Sequence, residues 1–246
     1  MNRLFFPDHK KAILFDMNDT LVDRQQSREL HFTELLRDYT GRWSAPPEFS
    51  PEHVYARYMA EQKKRAGKSI TLQDKQACLK AALTPYGFPV TDRWMKQFFQ
   101  EWRKSRARPA ALYPHVRDTL RELVKHYMLG IVSNSPRRNV QAQLEKLRLT
   151  DVFPPDRVFC SKKGAYRKPQ PAMFHHVLSQ LKLKPGEAVM VGDSWKNDIS
   201  GSVKLGIDTV WLQTSAARPG LRRIGKTRVA VIQEFRQLRN LFLPGG

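Results

Sequence analysis

The segment KAILFDMNDTL (residues 11–21) contains the clearest strand signal near the amino terminus. Its first five residues form a short, mostly apolar run that ends at Asp16, which is the pattern of a buried strand followed by a polar loop. Buried strands of this kind are typical of parallel sheets with helices on both faces. We therefore expect residues 11–15 to form the first strand of such a sheet, with Asp16 at its carboxyl end.

Beyond residue 110, short strand signals alternate with helical periodicity. Strands are predicted at Met128–Ser133, Arg157–Ser161, Ala188–Val191 and Thr209–Gln213. Helices are predicted at Val116–Tyr127, Asn139–Leu149, Ala172–Leu183, Ile199–Leu205 and Gln233–Leu243. This alternation indicates right-handed crossovers and a parallel, Rossmann-like sheet. The predicted fold class is therefore α/β.

Residues 23–110 have a different pattern, because helical periodicity continues there without a strand signal. The predicted helices run from about Ser27 to Gly41, and over Pro51–Ala66, Leu72–Pro85 and Thr91–Ala107. We predict an α/β core domain from residues 1–22 and 111–246 and an inserted all-helical domain at 23–110. Hinges near Val22–Arg24 and Arg108–Leu112 would let the insert close over a site and exclude water.

Several observations favour a cytoplasmic protein without a membrane partner. The longest apolar runs are strand-sized, and the amino-terminal segment MNRLFFPDHKK is too short in apolar residues for a signal peptide. Cys78 and Cys160 are far apart, which argues against a disulfide framework and against a zinc site.

The charge balance is unusual, since 43 Lys and Arg residues face 23 Asp and Glu residues, a net charge of +20. Such a field attracts anions, including nucleic acid. The basic residues are nevertheless spread along the chain, and no nucleic-acid-binding motif accompanies them. A solvated basic surface and a nucleic-acid partner both remain open at this point.

Polar residues follow the predicted strands at the edge where open α/β sheets bind ligands. Asp16 follows the first strand, Ser133-Asn134 ends the second, and Asp193 follows the fourth, with Asp198 nearby and Lys168 before a helix. An aspartate can act as a covalent nucleophile, and carboxylates suit Mg²⁺, which prefers oxygen ligands. A lysine and a serine hydroxyl can hold phosphoryl oxygens. These residue types together indicate phosphoryl chemistry.

Four segments in this order resemble the four motifs of the haloacid dehalogenase superfamily: Asp16–Leu21, Ile131–Asn134, Arg167–Pro171 and Val191–Gly201. The resemblance covers nearly the entire chain, and the helical insert lies where that family has its cap domain. It implies a magnesium-dependent hydrolase of a small phosphorylated substrate, with Asp16 as the nucleophile.

The same resemblance implies further roles. Asp16, the main-chain carbonyl of Asn18 and Asp193 would contact Mg²⁺, while Asp198 would bind it through water or orient Lys168. Ser133, Asn134 and Lys168 would hold the phosphoryl group, and Thr20 would support the loop after the first strand. Asp193 favours phosphoryl transfer over dehalogenation, because dehalogenases lack that carboxylate.

Asn18 departs from the family pattern. The phosphatase branch has an aspartate there, which protonates the leaving oxygen and then activates water, whereas an amide cannot exchange a proton in this way. Losing general acid–base help costs about 10²–10⁴-fold in rate. Three functions follow from the sequence: a slow or specialised phosphatase, a magnesium- and phosphate-binding regulatory protein, or a nucleic-acid-associated protein. No motif names the substrate or sets the oligomeric state.

Overall fold

The computed structural model describes residues 9–65, 70–105, 111–162, 166–214 and 219–243. The chain divides into two compact units, which we call the core unit (Met1–Arg24 with Ala110–Gly246) and the helical unit (Gln25–Pro109). Among the described residues, no helix is both long and apolar enough to cross a membrane.

The core unit is organised around a seven-stranded sheet. In chain order, the strands of this unit are β1 (Ala12–Phe15), β2 (Val22–Asp23), β3 (Ala111–Leu112), β4 (Met128–Ser133), β5 (Val158–Cys160), β6 (Ala188–Gly192), β7 (Asp208–Leu212), β8 (Gly220–Ile224) and β9 (Thr227–Ile232). The order in the sheet is β5-β4-β1-β6-β7-β9-β8, and β2 pairs separately with β3. All neighbours in the large sheet are parallel except β8 and β9. The predicted α/β class with a mostly parallel sheet is confirmed.

The helical unit contains α1 (Arg24–Thr40, whose first residue belongs to the core unit), α2 (Pro51–Lys63), α3 (Leu72–Leu83) and α4 (Asp92–Ser105), with a 3₁₀ turn at Thr84–Tyr86. Side-chain caps define two of the helix starts. Ser50 accepts from the N–H of His53 at the start of α2, and Thr71 forms a capping box with Asp74 at the start of α3. The unit has a hydrophobic core of its own, rich in aromatic rings, which includes Phe32, Tyr58 and Phe98.

Helices cover both faces of the large sheet. They are α5 (Val116–Leu123), α6 (Arg137–Lys146), α7 (Pro171–Gln180), α8 (Ser200–Val203) and α9 (Leu238–Phe242). Alternate residues of β1 pack in different hydrophobic clusters, one on each face of the sheet, because side chains along a strand point to opposite faces. Ile13 and Phe15 pack with α5, α6 and α9, whereas Leu14 packs with α7. Strand β1 is therefore apolar throughout because it lies at the centre of three layers.

Two predicted helices differ from the structure, and one hairpin of the structure was not predicted. The predicted helix Gln233–Leu243 is a 3₁₀ turn (Phe235–Gln237) followed by the five-residue α9, and the predicted helix Ile199–Leu205 is a π-helical turn (Trp195–Ile199) followed by α8. The hairpin of β8 and β9 is absent from the prediction. Because the side chains of β8 are mostly exposed on both faces, the strand has no buried periodicity that sequence reasoning could detect.

Some predictions fall outside the described residues. They concern Ala66 and Ala107, the predicted ends of two helices, and residues 108–110 of the second predicted hinge.

The aromatic core of the helical unit generates a stability prediction. Phe98 is fully buried and contacts the rings of Phe32, Tyr39, Trp94, Phe99 and Trp102. Phe98→Ala should lower the free energy of unfolding of this unit by about 3–5 kcal/mol, because it leaves a large cavity. Urea denaturation monitored by tryptophan fluorescence measures this change. Leu30→Ala on α1, where the side chain is 52% exposed, should change stability by less than about 0.5 kcal/mol.

Candidate active site

The site begins with Asp16, which follows β1 at the centre of the sheet. Its main-chain N–H donates to the carbonyl of Val191 at 2.9 Å, which ties the end of β1 to β6. The neighbouring strands of β1 are β4 and β6, so the loops after all three strands meet at this edge. This sheet order brings together residues that are more than 100 positions apart in the sequence.

Lys168 lies at the centre of the site, with its side chain 2% exposed. Its Nζ is 2.6 Å from Oδ1 of Asp16 and 2.6 Å from Oδ1 of Asp198. Burial alone would lower the pKa of Lys168, but the charges of Asp16 and Asp198 outweigh it, and the pKa is raised. The ammonium group is therefore a permanent charge that holds two carboxylates together.

Asn134 positions the main chain of Lys168. Its Nδ2 donates to the carbonyl of Lys168 at 2.9 Å, and its Oδ1 accepts from the N–H of Lys168 at 2.9 Å. Both groups of the amide are thus occupied. The Asn134 side chain thus holds Lys168 in place, and its predicted contact with substrate phosphate stays a prediction.

Asp198 lies in the π-helical turn, which places its side chain in the site. Its Oδ2 accepts from the N–H of Ser194 at 3.0 Å, and the carboxylate packs directly on Gly192. A Cβ atom at position 192 would lie 2.4 Å from Cγ of Asp198, so only glycine fits there. In the fourth motif, Gly192 thus lets the side chain of Asp198 approach the main chain closely, and Asp193 supplies a second carboxylate.

Asp193 is oriented by two contacts. The hydroxyl of Thr20 donates to its Oδ1 at 3.0 Å, and Nε1 of Trp211 on β7 donates to its main-chain carbonyl at 2.8 Å. Trp211 was not identified from the sequence, because no motif marks it. Its role follows only from the adjacency of β6 and β7.

Three carboxylates converge in this site. One oxygen from each of Asp16, Asp193 and Asp198 lies within 4.8 Å of the others. Burial raises the pKa of Asp193, and the charge of Asp16 adds to that effect. Burial likewise raises the pKa of Asp198. Carboxylates that repel one another in a buried position form a site for a hard cation, because the cation supplies the charge that they lack.

A cavity of about 300 Å³ opens at this position. It is lined by every predicted site residue: Asp16, Asn18, Ser133, Asn134, Lys168, Asp193 and Asp198. The volume is at the lower end of the range for small-molecule sites, about 300–1,000 Å³. The core unit alone therefore forms a polar cavity with room for a phosphoryl group.

Ser133 and Asn18 both line this cavity, and each has a hydrogen bond to Ser135. The main-chain N–H of Ser135 donates to Oγ of Ser133 at 3.2 Å, so the Ser133 hydroxyl acts as an acceptor there and keeps its own proton for another partner. Nδ2 of Asn18 donates to Oγ of Ser135 at 3.0 Å. Sequence reasoning missed Ser135, which lies two positions after the motif serine and has no motif role of its own.

Asp19 takes a left-handed conformation, with φ of 63°, at a position that is usually glycine in the family pattern. Its Oδ2 accepts from Nε and Nη2 of Arg24 at 3.2 and 3.0 Å. Asp19 and Arg24 both line the cavity. Arg137, by contrast, donates to the carbonyls of Val158 and Pro155 and supports the loop around β5.

Similarity to a known protein family decides which family this chain belongs to. The model of the family described as haloacid dehalogenase-like hydrolase matches residues 13–212 of this chain. The chain belongs to this family. The family assignment made from the four motifs is therefore confirmed, as is the general class of hydrolase.

Relatives within the haloacid dehalogenase-like hydrolases include several phosphatases. The N-acylneuraminate-9-phosphatase of Rattus norvegicus is 24% identical over 212 residues, or 85% of each chain. The glyceraldehyde 3-phosphate phosphatase of Pyrococcus furiosus is 26% identical over 204 residues, which cover 82% of this chain and 80% of the relative. Among solved structures, the magnesium-bound hydrolase YfnB of Bacillus subtilis has the same fold. Its TM-score is 0.62 at 21% identity, with 95% of this chain and 98% of YfnB covered.

The buried Lys168 generates a second stability prediction. Lys168→Met keeps the length of the side chain but leaves Asp16 and Asp198 without their shared cation. The free energy of unfolding should fall by about 3–5 kcal/mol, the usual cost of removing one member of a buried ion pair. Urea denaturation in metal-free buffer measures it. Lys204→Met at an exposed position is the matched control and should have little effect. Equal stabilities of the two variants would contradict the central role of Lys168.

Proposed function

We propose that this protein is a magnesium-dependent phosphatase that hydrolyses a small phosphorylated metabolite through a phospho-Asp16 intermediate. The observation that carries the proposal is the convergence of Asp16, Asp193 and Asp198 around buried Lys168. The phosphatases among its relatives and the magnesium in the YfnB structure support it.

The donor set fits Mg²⁺. Asp16 and Asp193 would bind it directly, together with the main-chain carbonyl of Asn18, and Asp198 would act through water or through Lys168. When bound, Mg²⁺ would neutralise phosphoryl oxygens and lower their repulsion toward the carboxylate of Asp16. The raised pKa values of Asp193 and Asp198 have the same main physical origin, namely burial of a negative charge, and the charge of nearby Asp16 adds to it.

The residues of the chain would share the phosphoryl transfer as follows. A carboxylate oxygen of Asp16 forms a bond to phosphorus while the bond from phosphorus to the substrate oxygen breaks. Lys168 and the hydroxyl of Ser133 hold the phosphoryl oxygens during this step. Water then attacks phospho-Asp16, which releases phosphate and regenerates the carboxylate.

Asn18 sets the substrate range in this proposal. Its amide cannot donate a proton to the leaving oxygen, and it is held by a hydrogen bond to Ser135. Leaving groups that are stable anions, such as aryl or acyl phosphates, need no proton. Alkyl phosphates do need one, so we infer slow turnover for them and slow hydrolysis of phospho-Asp16 for every substrate.

Asp19 is adjacent to Asn18 in sequence and lines the same cavity, so it is a candidate to replace the missing acid. Its ion pair with Arg24 argues against this replacement, because the guanidinium group occupies Oδ2 of Asp19 and holds the carboxylate in place. We therefore infer that Asp19 does not substitute for the aspartate that Asn18 replaces.

The helical unit would serve as the cap domain of this enzyme. It is inserted between the first and second motifs, where the family has its cap. In this proposal it supplies the residues that select the substrate and exclude water during the reaction.

A second candidate is a regulatory protein that binds magnesium and phosphate but hardly turns over. Asn18 favours it, because both proton transfers of the phosphatase cycle lose their usual group. The rate of phospho-Asp16 hydrolysis distinguishes the two functions.

Metal binding can be tested at Asp193. Asp193→Ala should abolish Mg²⁺ binding, because it removes one of the three converging carboxylates. Isothermal titration calorimetry measures the affinity, with Asp151→Ala at an exposed position of the same unit as the control. Unchanged Mg²⁺ affinity in Asp193→Ala would contradict the metal site.

The role of Asn18 can be tested by restoring an aspartate. Asn18→Asp should raise the turnover of alkyl phosphates by at least about tenfold, a conservative floor for general acid–base catalysis. Steady-state assays with a panel of alkyl and aryl phosphates measure it, with Asp16→Asn as the blank and Asp19→Asn as the matched control. Phospho-Asp16 should accumulate in the wild type and disappear in Asn18→Asp. Ordinary alkyl phosphate turnover in the wild type, unchanged by Asn18→Asp, would refute this account.

A further inference from the structure

The hairpin formed by β8 and β9, residues 220–232, lies beyond the segment 13–212 that the family model matches. We call it the basic hairpin. Residues 209–233 contain no aspartate or glutamate. Arg222, Arg223, Lys226 and Arg228 all lie in the hairpin. Part of the unexplained net charge of +20 is thus concentrated in one structural element.

Within the described residues, the side chains of these four cations have no acidic partner, and Asp208 accepts only from the main-chain N–H of Arg228. Arg222, Arg223 and Lys226 are exposed and Arg228 is half-buried. None of their side chains forms an ion pair or a hydrogen bond within the described part of the chain. Some exposed cations elsewhere do pair with carboxylates, as Arg37 does with Glu52 and Arg239 with Glu122. The basic hairpin is therefore a local region of uncompensated positive charge.

The strand register increases this charge density. Arg223 lies directly opposite Arg228 in the antiparallel pair, so the two side chains are on the same face with Cβ atoms roughly 5 Å apart. Like charges in this position destabilise a sheet. Lys226 is in the two-residue turn, after Gly225 at a φ of 59°. An anion that bridges these groups would relieve their repulsion.

We propose that the basic hairpin binds the phosphate backbone of single-stranded nucleic acid without sequence preference. Three of the four cations are arginines, whose guanidinium groups match phosphate oxygens in a two-pronged geometry. The cations lie on both faces and at the tip of a narrow hairpin, which suits a flexible strand that bends around it. The hairpin contains no aromatic residue for base stacking, so the binding energy comes from phosphates.

Two other partners fit the hairpin less well. A membrane surface requires apolar groups on one face, but the exposed Leu221 and Ile224 point to opposite faces of β8. An acidic peptide added as a further strand would meet one arginine of β8 on each face. A nucleic-acid strand, with a charge on every nucleotide, can engage all four cations.

The test is fluorescence anisotropy with a labelled polyuridine of about 20 nucleotides that carries no terminal phosphate, so that the cavity at Asp16 is not engaged. Four phosphate contacts on a single strand predict a slope near −3 for the logarithm of the association constant against the logarithm of salt concentration. This slope corresponds to a loss of roughly fiftyfold between about 50 and about 200 mM salt.

Paired variants identify the surface. Arg222→Gln/Arg223→Gln should weaken binding at low salt by at least about tenfold and reduce the magnitude of the slope by about 1.4. Arg121→Gln/Lys125→Gln removes the same charge from exposed positions of the core unit and should leave the slope unchanged. Circular dichroism should show both variants folded, because all four side chains are exposed.

Three results would overturn the proposal. One is no binding of polyuridine at about 50 mM salt. Another is an equal loss of affinity in both double variants, which would mean diffuse attraction by net charge. The third is hairpin-dependent binding of phosphatidylserine vesicles or polyglutamate that equals or exceeds polyuridine binding, which would assign the surface to a membrane or to an acidic protein.

Discussion

The ammonium group of Lys168 lies between the carboxylates of Asp16 and Asp198, and the rest of the core unit holds that contact in place. A lysine that is 2% exposed loses nearly all of its hydration. That loss is offset only if both carboxylates are within hydrogen-bond distance. The contact therefore requires three separate chain segments to meet, namely the end of β1, the loop before α7 and the turn after β6. Two further contacts hold these segments together. Asn134 makes two hydrogen bonds to the main chain of Lys168, and Asp198 packs closely on Gly192.

The charges of this site contrast with those of the whole chain. The chain carries +20, yet its central cavity contains more carboxylates than cations, with Asp193 and Asp19 beside the Lys168 cluster. Excess negative charge in a buried site attracts a divalent cation, and excess positive charge around it attracts an anionic substrate. Relative to the family pattern, Asp19 adds a carboxylate where glycine is usual, and Asn18 removes one. In our proposal, this change removes a proton carrier and leaves the converging carboxylates in place.

The core unit, the helical unit and the basic hairpin are under different physical constraints. The core unit must place charged groups accurately, and it does so with short strands buried on both faces. The helical unit has its own aromatic core and capped helices, so its packing does not depend on the catalytic loops. The basic hairpin extends the sheet by an exposed edge strand, and its unpaired cations contribute nothing to the core. The exposed cations of the hairpin, which lie outside the matched family segment, are thus free to acquire a separate interaction.

From the sequence alone, the alternating periodicity established the α/β class, and the four motifs established the family. The motifs also identified Asp16, Asn18, Ser133, Lys168, Asp193 and Asp198 as residues of one cavity, because parallel strands bring their carboxyl ends to one edge. The tertiary structure decided what no motif encodes. It engaged the side chain of Asn134 with the main chain of Lys168, and it added Ser135 and Trp211 through contacts between neighbouring strands and loops. It also revealed the hairpin of β8 and β9, whose exposed edge strand has no hydrophobic pattern. Hydrophobic periodicity in the sequence indicates which residues are buried. The contact partner of a side chain depends instead on which distant segments pack beside it.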